Sequence, residues 1–81
     1  MPEVVFGGMP AWLLEAYLVE LGGRPAGDGG AVEGDGWRAT LESRRGDAGR
    51  VGIARVRVAI EGERAAAVMA ALRKKAQRGG G

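Results

Sequence analysis

The sequence contains no cysteine, no histidine and no asparagine, and the first two absences exclude whole classes of chemistry. Without cysteine there is no disulfide, no thiolate nucleophile and no zinc site built on sulfur. Without histidine the most frequent general base and the most frequent metal ligand are also missing. Because catalytic triads built on either residue are excluded, we expect a protein that is not an enzyme and that carries no cofactor.

The net charge is also small, and the sequence has no long apolar run. The formal net charge is +2, although the sequence pI is about 9.7 because most of the cations are arginines. A charge this small does not by itself indicate nucleic-acid binding. No apolar run approaches the roughly 18–20 residues that span a membrane, and the first residues lack the pattern of a signal peptide. We expect a cytoplasmic protein with no membrane partner, and the shortage of thermolabile residues suits a thermophile.

A length of 81 residues allows one small domain. Residues 1–78 are predicted to form that domain, and 79–81 a flexible glycine tail. A domain of this size buries only about 60% of its unfolded surface, and association is a common remedy. We therefore expect a homodimer, with a further protein partner as an open possibility.

The first half of the chain predicts a strand followed by a helix. "EVVF" (3–6) is β-branched and aromatic, and Pro10 in "MPAWLLEAYLVELGG" suits the first position of a helix that Gly22 ends. Trp12 is expected in the core, although it could instead line a dimer contact or the rim of a pocket. Tyr17 is expected in the core as well. The predicted apolar stripe comprises Leu14, Tyr17, Leu18 and Leu21.

The second half predicts strands and a closing helix. Two short strands are expected near 24–26 and 31–33, and "WRATLESR" and "VGIARVRVAIEG" alternate as an antiparallel hairpin with one wet face. Glu42 should lie near Arg55 or Arg57. The apolar stripe of the last helix comprises Ala65, Val68, Met69, Leu72 and Ala76. The predicted fold is α+β, in the order β-α-β(4)-α, with an antiparallel sheet and both helices on one face.

Basic side chains are the main candidates for a binding site. Four arginines should share the outer face of the hairpin, and a basic cluster lies on the last helix. The sheet face could bind nucleic acid, an anionic ligand or an acidic partner, but it lacks the aromatic residues that stack on bases. The alternative is a solvated surface, with Glu42 as counter-charge. The candidate residues are Arg38, Arg44, Arg55, Arg57, Lys74 and Lys75.

Glycines and carboxylates elsewhere carry weaker signals. Gly7 and Gly8 precede a helix start, where an anion could bind, but a simple turn explains them. Asp28, Glu33 and Asp35 do not have the spacing of a calcium loop. No catalytic, cofactor or metal site is therefore predicted.

The order of elements, together with "FGGMPAWLLEAYLVELGGR" and "ARVRVAIEG", resembles a domain of MoaD-related proteins. In those proteins of thermophilic bacteria, which are related to the molybdopterin-synthase sulfur carrier, the domain stands at the C-terminal side. The resemblance spans roughly residues 3–78. It implies a fold like that of the TATA-binding protein, and it implies no site residues.

Three functions remain open at this point. The first is a non-enzymatic accessory or interaction domain, linked through the resemblance to molybdopterin cofactor biosynthesis. The second is a nucleic-acid or anion-binding module that uses the arginines of the sheet. The third is a sulfur carrier that acts through Gly80 and Gly81, although "AQRGGG" also suits a helix cap at Gly79 followed by a frayed end. We favour the first, because the carrier fold leads into its tail from a strand.

Overall fold

The computed structural model of the protein describes residues 2–27, 30–44 and 55–79. Five strands and two helices follow one another in the predicted order β-α-β(4)-α. They are β1 (Glu3–Gly7), α1 (Ala11–Glu20), β2 (Arg24–Pro25), β3 (Ala31–Gly34), β4 (Trp37–Arg44), β5 (Arg55–Glu61) and α2 (Ala65–Gly79).

All five strands form one antiparallel sheet in the order β1-β5-β4-β3-β2. Helix α1 packs mainly over β2, β3 and β4, and α2 packs over β4 and β5. Both helices cover the same face of the sheet, which confirms the predicted α+β arrangement. The opposite face, here called the open sheet face, has no helix over it among the described residues.

Helix α1 ends where the sequence predicts, and it begins one residue later. Pro10 has an extended backbone and stands just before the helix as its N-cap, instead of occupying the first helical position. At the other end, Gly22 has φ +105°, and the Gly23 N–H donates to the Leu18 carbonyl at 3.1 Å. This is the glycine-dependent cap that turns the chain out of a helix and towards the sheet.

The hairpin of β4 and β5 forms the centre of the sheet, and its alternation is as predicted. Val56, Val58 and Ile60 are fully buried under the helices, opposite the buried side of β4. The register places Glu42 directly opposite Arg57, not Arg55. Residues 45–54, which include the predicted loop and the start of the second strand, lie outside the described part of the chain.

The short strands β2 and β3 also occur as predicted. The Ala26 N–H donates to the Ala31 carbonyl at 2.9 Å and closes their turn, while Asp28 lies outside the described residues. The next turn, at Asp35 and Gly36, joins β3 to β4, and Gly36 has φ +85°. The turn glycines therefore allow three strands to fit within about 20 residues.

Helix α2 buries the whole of its predicted stripe. Leu72 is fully buried, and the other members of the stripe are 4–9% exposed. Beneath the helices, the Trp37 ring packs closely against the backbone of Gly23 and Gly34, where a side chain would collide with it. The core therefore extends from α2 across the sheet to the short edge strands. Neither described helix is long and apolar enough to cross a membrane.

Candidate interaction surfaces

Three of the four arginines predicted on one face of the hairpin lie on the open sheet face. Arg38, Arg55 and Arg57 alternate along their strands with the buried residues. Arg44 stands opposite Arg55 in the register. The predicted face is therefore confirmed for Arg38, Arg55 and Arg57, and their binding of a ligand stays a prediction.

Carboxylates are interspersed among these arginines. Glu42 stands opposite Arg57, and Arg38 stands between Glu61 on β5 and Glu33 on β3. Arg38 also forms an ion pair with Glu33 at 3.4 Å, with both side chains about half exposed. The open sheet face is therefore a surface of alternating charge, which gives little attraction for a polyanion.

Aromatic rings lie elsewhere in the described structure. Trp37 is buried beneath the helices, Phe6 packs against the core from β1, and Trp12 and Tyr17 belong to α1. Base-stacking sheets need rings on their exposed face. The described part of the open sheet face has none, so its arrangement does not favour nucleic acid as a ligand.

Lys74 and Lys75 lie on the other layer of the molecule. Both belong to α2, whereas the arginines point away from the helices. The Lys75 ammonium contacts the Glu20 carboxylate at 2.6 Å and lies 5.8 Å from the centre of the Tyr17 ring. Lys75 therefore joins α2 to α1, and the six candidate residues do not form one site.

The contrast between these neighbouring lysines gives a testable prediction. Lys75→Ala should lower the free energy of unfolding by about 0.5–1 kcal/mol, because it removes a half-exposed ion pair and a cation–π contact. Lys74→Ala should leave the free energy of unfolding unchanged, because the Lys74 side chain is exposed. Urea titrations of both variants check this, and equal effects would contradict a bridging role for Lys75.

Trp12 is not in the core, so the favoured prediction for this residue was wrong, but it lines a recess, as the alternative of a pocket rim predicted. It is 68% exposed, whereas Tyr17 is half-buried and packs against the core as predicted. Leu14 and Leu18 face the sheet and are fully buried. Since Trp12 comes two residues before Leu14, it projects from another side of the helix.

Trp12 belongs to an apolar stripe on the outside of α1. Ala16 and Val19 follow it at i+4 and i+7, the spacing of one helix face, and both are exposed. We call Trp12, Ala16 and Val19 the α1 outer face. Surface helices usually bear polar residues on this side, so an apolar stripe here marks a surface that can bind another protein.

A shallow recess of about 270 Å³ adjoins this stripe. Trp12 and Leu41 from β4 line it, and Glu15 also lines it. The recess could therefore receive one apolar side chain of a partner, next to a large exposed aromatic ring. Its lining residues are Ala11, Trp12, Glu15, Gly30, Leu41 and Ser43.

The described residues contain no cluster of acidic side chains able to hold a metal ion. Gly8 has φ +78° and precedes α1 as part of a turn, and no side chain caps the helix start. Helix α2 continues through Gly79, while Gly80 and Gly81 lie outside the described part of the chain.

Comparison with known proteins places the chain in a family. No curated protein sequence matches the chain. The profile of a family described as archaeal MoaD-like protein matches residues 2–81, which is almost the whole sequence. The chain therefore belongs to the archaeal MoaD-like protein family.

Proposed function

We propose that this chain is a non-enzymatic interaction domain that serves sulfur-carrier biology, in connection with molybdopterin cofactor biosynthesis. The single observation that carries the proposal is the α1 outer face, where a tryptophan is 68% exposed at the head of an apolar stripe. Family membership supports the connection with sulfur carriers. The absence of cysteine and histidine from the sequence supports a role in binding instead of catalysis.

The energetic reason lies in how exposed tryptophans behave at interfaces. Tryptophan is among the residues most enriched at binding hot spots, because its ring buries a large area at a low cost in conformational entropy. Here Trp12 lines a recess, so a partner can cover the exposed side chain and fill the recess together. Val19, two turns further along, is 41% exposed and extends the contact.

The surroundings of the stripe define the chemistry of the partner. Helix α1 carries two carboxylates and no cationic residue. Glu20 is held by Lys75, which leaves Glu15 beside Trp12 to meet a positive group. The partner surface should therefore be an apolar patch that offers one side chain to the recess and has lysine or arginine at its rim.

The test is a set of binding titrations with purified proteins of the same organism. The three proteins to titrate are the sulfur-carrier subunit, the large subunit of molybdopterin synthase and the enzyme that adenylylates the carrier. We expect one of them to bind, and Trp12→Ala to weaken that binding at least about tenfold. Val5→Ala is the matched control, because Val5 is 53% exposed on the open sheet face. Failure of all three proteins to bind would contradict the connection with sulfur carriers.

A sulfur-carrier role of the chain itself is the alternative that family membership favours. In that role, Gly81 would be adenylylated and converted to a thiocarboxylate. The helical conformation through Gly79 speaks against it, because a carrier tail must extend into the active site of its partner. Incubation with the adenylylating enzyme, ATP and sulfide, followed by intact-mass measurement, separates the two roles. We expect no mass shift, and formation of a thiocarboxylate would establish the carrier role.

A further inference from the structure

The open sheet face is organised in rows that run across the strands. Residues that are neighbours across the strands in the register form each row, and the charges alternate along the first and third rows. Successive rows lie about 6.7 Å apart, since alternate residues of a strand share a face. The first row is Val5, Arg57 and Glu42, the middle row is Glu3, Ala59, Thr40 and Ala31, and the third row is Glu61, Arg38, Glu33 and Arg24.

The middle row is low because its central residues are small. Ala59 and Thr40 stand side by side on β5 and β4, and a shallow recess of about 270 Å³ forms over them. Arg57 and Glu42 border the recess on one side. The long charged side chains of the first and third rows therefore flank a depression, and they can reach a second sheet that packs over it.

We propose that a second copy of this chain packs face to face on the open sheet face, about a two-fold axis along the middle row. Rotation about this axis exchanges the first and third rows. It brings Arg57 opposite the partner's Glu61, and Glu42 opposite the partner's Arg38. Each pair occurs twice, so the surface is complementary to itself, as a two-fold interface requires.

Two directions of the axis satisfy most of these charges. A two-fold axis parallel to the strands, between β4 and β5, would pair Arg57 with the partner's Glu42 and Arg38 with the partner's Glu61, but it would place Arg55 over the register position of the partner's Arg44. The axis along the middle row avoids this. It leaves one like-charge contact, between Glu3 and the partner's Glu3, at the edge of the sheet.

The size of the interface sets the expected strength. The complementary patch covers four strands and three rows, or about 14 by 13 Å, which is small for a protein interface. Partly exposed charge pairs add modest affinity and are screened by salt. We therefore expect a weak dimer that dissociates as the salt concentration rises.

Charge reversal tests the proposed pairing, because two monomeric variants should restore each other. Arg38→Glu alone sets the introduced carboxylate against the partner's Glu42 twice, and Glu42→Arg alone sets like charges together in the same way. Each variant should weaken dimerisation at least about tenfold. A mixture of the two should form a heterodimer of near wild-type affinity, because both of its contacts then join opposite charges. Sedimentation velocity over a micromolar concentration range measures all three samples.

The matched control mixes Arg38→Glu with Glu61→Arg, two variants whose altered residues do not meet across the proposed axis. This mixture should remain as weakly associated as its components. If the control mixture regains dimer affinity, the axis along the middle row is wrong. If either single variant dimerises as tightly as the wild-type protein, the open sheet face is not the interface. A monomeric wild-type protein would overturn the dimer. Circular dichroism verifies that each variant is folded, and the second facing pair, Arg57→Glu mixed with Glu61→Arg, takes the place of the first if one of its variants is not. Because α1 lies on the opposite layer, none of these results depends on partner binding through the α1 outer face.

Discussion

Trp37→Ala is expected to remove a large part of the stability of this domain. Trp37 is 7% exposed, and its ring fills the space between Gly23, Gly34 and the core. Truncating a buried aromatic ring to alanine costs about 3–5 kcal/mol. A domain of 81 residues has a total stability of only about 4–12 kcal/mol. Chemical denaturation followed by circular dichroism should show a large loss of stability, or a variant already unfolded in buffer.

Trp12→Ala is the matched control, because it is the same substitution at an exposed position. Its effect on the free energy of unfolding should stay within about 0.5 kcal/mol. A small effect at Trp37 would contradict its place in the core, and a large effect at Trp12 would contradict its exposure. The pair also makes the binding experiment interpretable, since Trp12→Ala should lose affinity while it remains folded.

Gly62→Ala is the second substitution with a large expected effect. Gly62 connects β5 to α2 with φ +118°, a conformation that costs other residues about 1–3 kcal/mol. An added Cβ would lie 2.8 Å from the Trp37 Cα and would collide with the Gly36 carbonyl oxygen. That oxygen accepts the Arg64 N–H at 3.0 Å. Because backbone atoms cannot yield easily, we expect a total loss above about 3 kcal/mol.

Gly22→Ala separates the cost of a positive φ from the cost of a collision between the added Cβ and the backbone. Gly22 has φ +105°, but open space surrounds the position that its Cβ would occupy. The Gly22→Ala variant should therefore lose only the conformational cost from its free energy of unfolding, about 1–2 kcal/mol. Thermal unfolding of both variants measures the difference. Equal losses would show that the contact between Gly62 and the Gly36 carbonyl does not constrain the chain.

Elements with a clean period could be predicted from the sequence almost to the residue. The strand Trp37–Arg44 follows from strict alternation, since one face is buried and the other is wet. The stripe of α2 follows from helical spacing combined with a polar opposite face. In both elements the pattern itself shows which side is buried.

Helix α1 shows why the same reasoning failed for Trp12. The predicted stripe of this helix does pack against the core, but apolar residues also lie on its other sides, so the pattern does not show that Trp12 stands outside that stripe. Leu14 and Leu18 face inward because the chain must return through Gly22 to the far edge of the sheet. This constraint comes from the tertiary fold and is not visible in the local sequence. Trp12 consequently stands outside, where it becomes a candidate for binding.

The charges could be predicted in position but not in their pairing. Arg57 meets Glu42, and Arg38 meets both Glu33 and Glu61, because of a register that local sequence does not determine. Lys75 and Glu20 are 55 residues apart in the chain. The arginines of the strands therefore belong to a surface of alternating charge in the folded protein. The basic cluster of the last helix instead supplies a link between the two helices.

The two proposed surfaces lie on opposite layers of the molecule. The α1 outer face belongs to the helical layer, and the dimer contact uses the open sheet face. Formation of the dimer would leave both copies of Trp12 exposed. The protein could then present two identical binding sites, which increases apparent affinity for a partner that is itself oligomeric.

The most direct test of the account is hydroxyl-radical footprinting of the protein, free and saturated with whichever sulfur-carrier component binds it. In the free protein, oxidation should be rapid at Trp12 and slow at Trp37, in line with their exposures of 68% and 7%. In the complex, oxidation of Trp12 should fall several-fold, while that of the exposed Val5 stays unchanged. Unaltered oxidation of Trp12 in a saturated complex would contradict the proposal that the α1 outer face binds the partner.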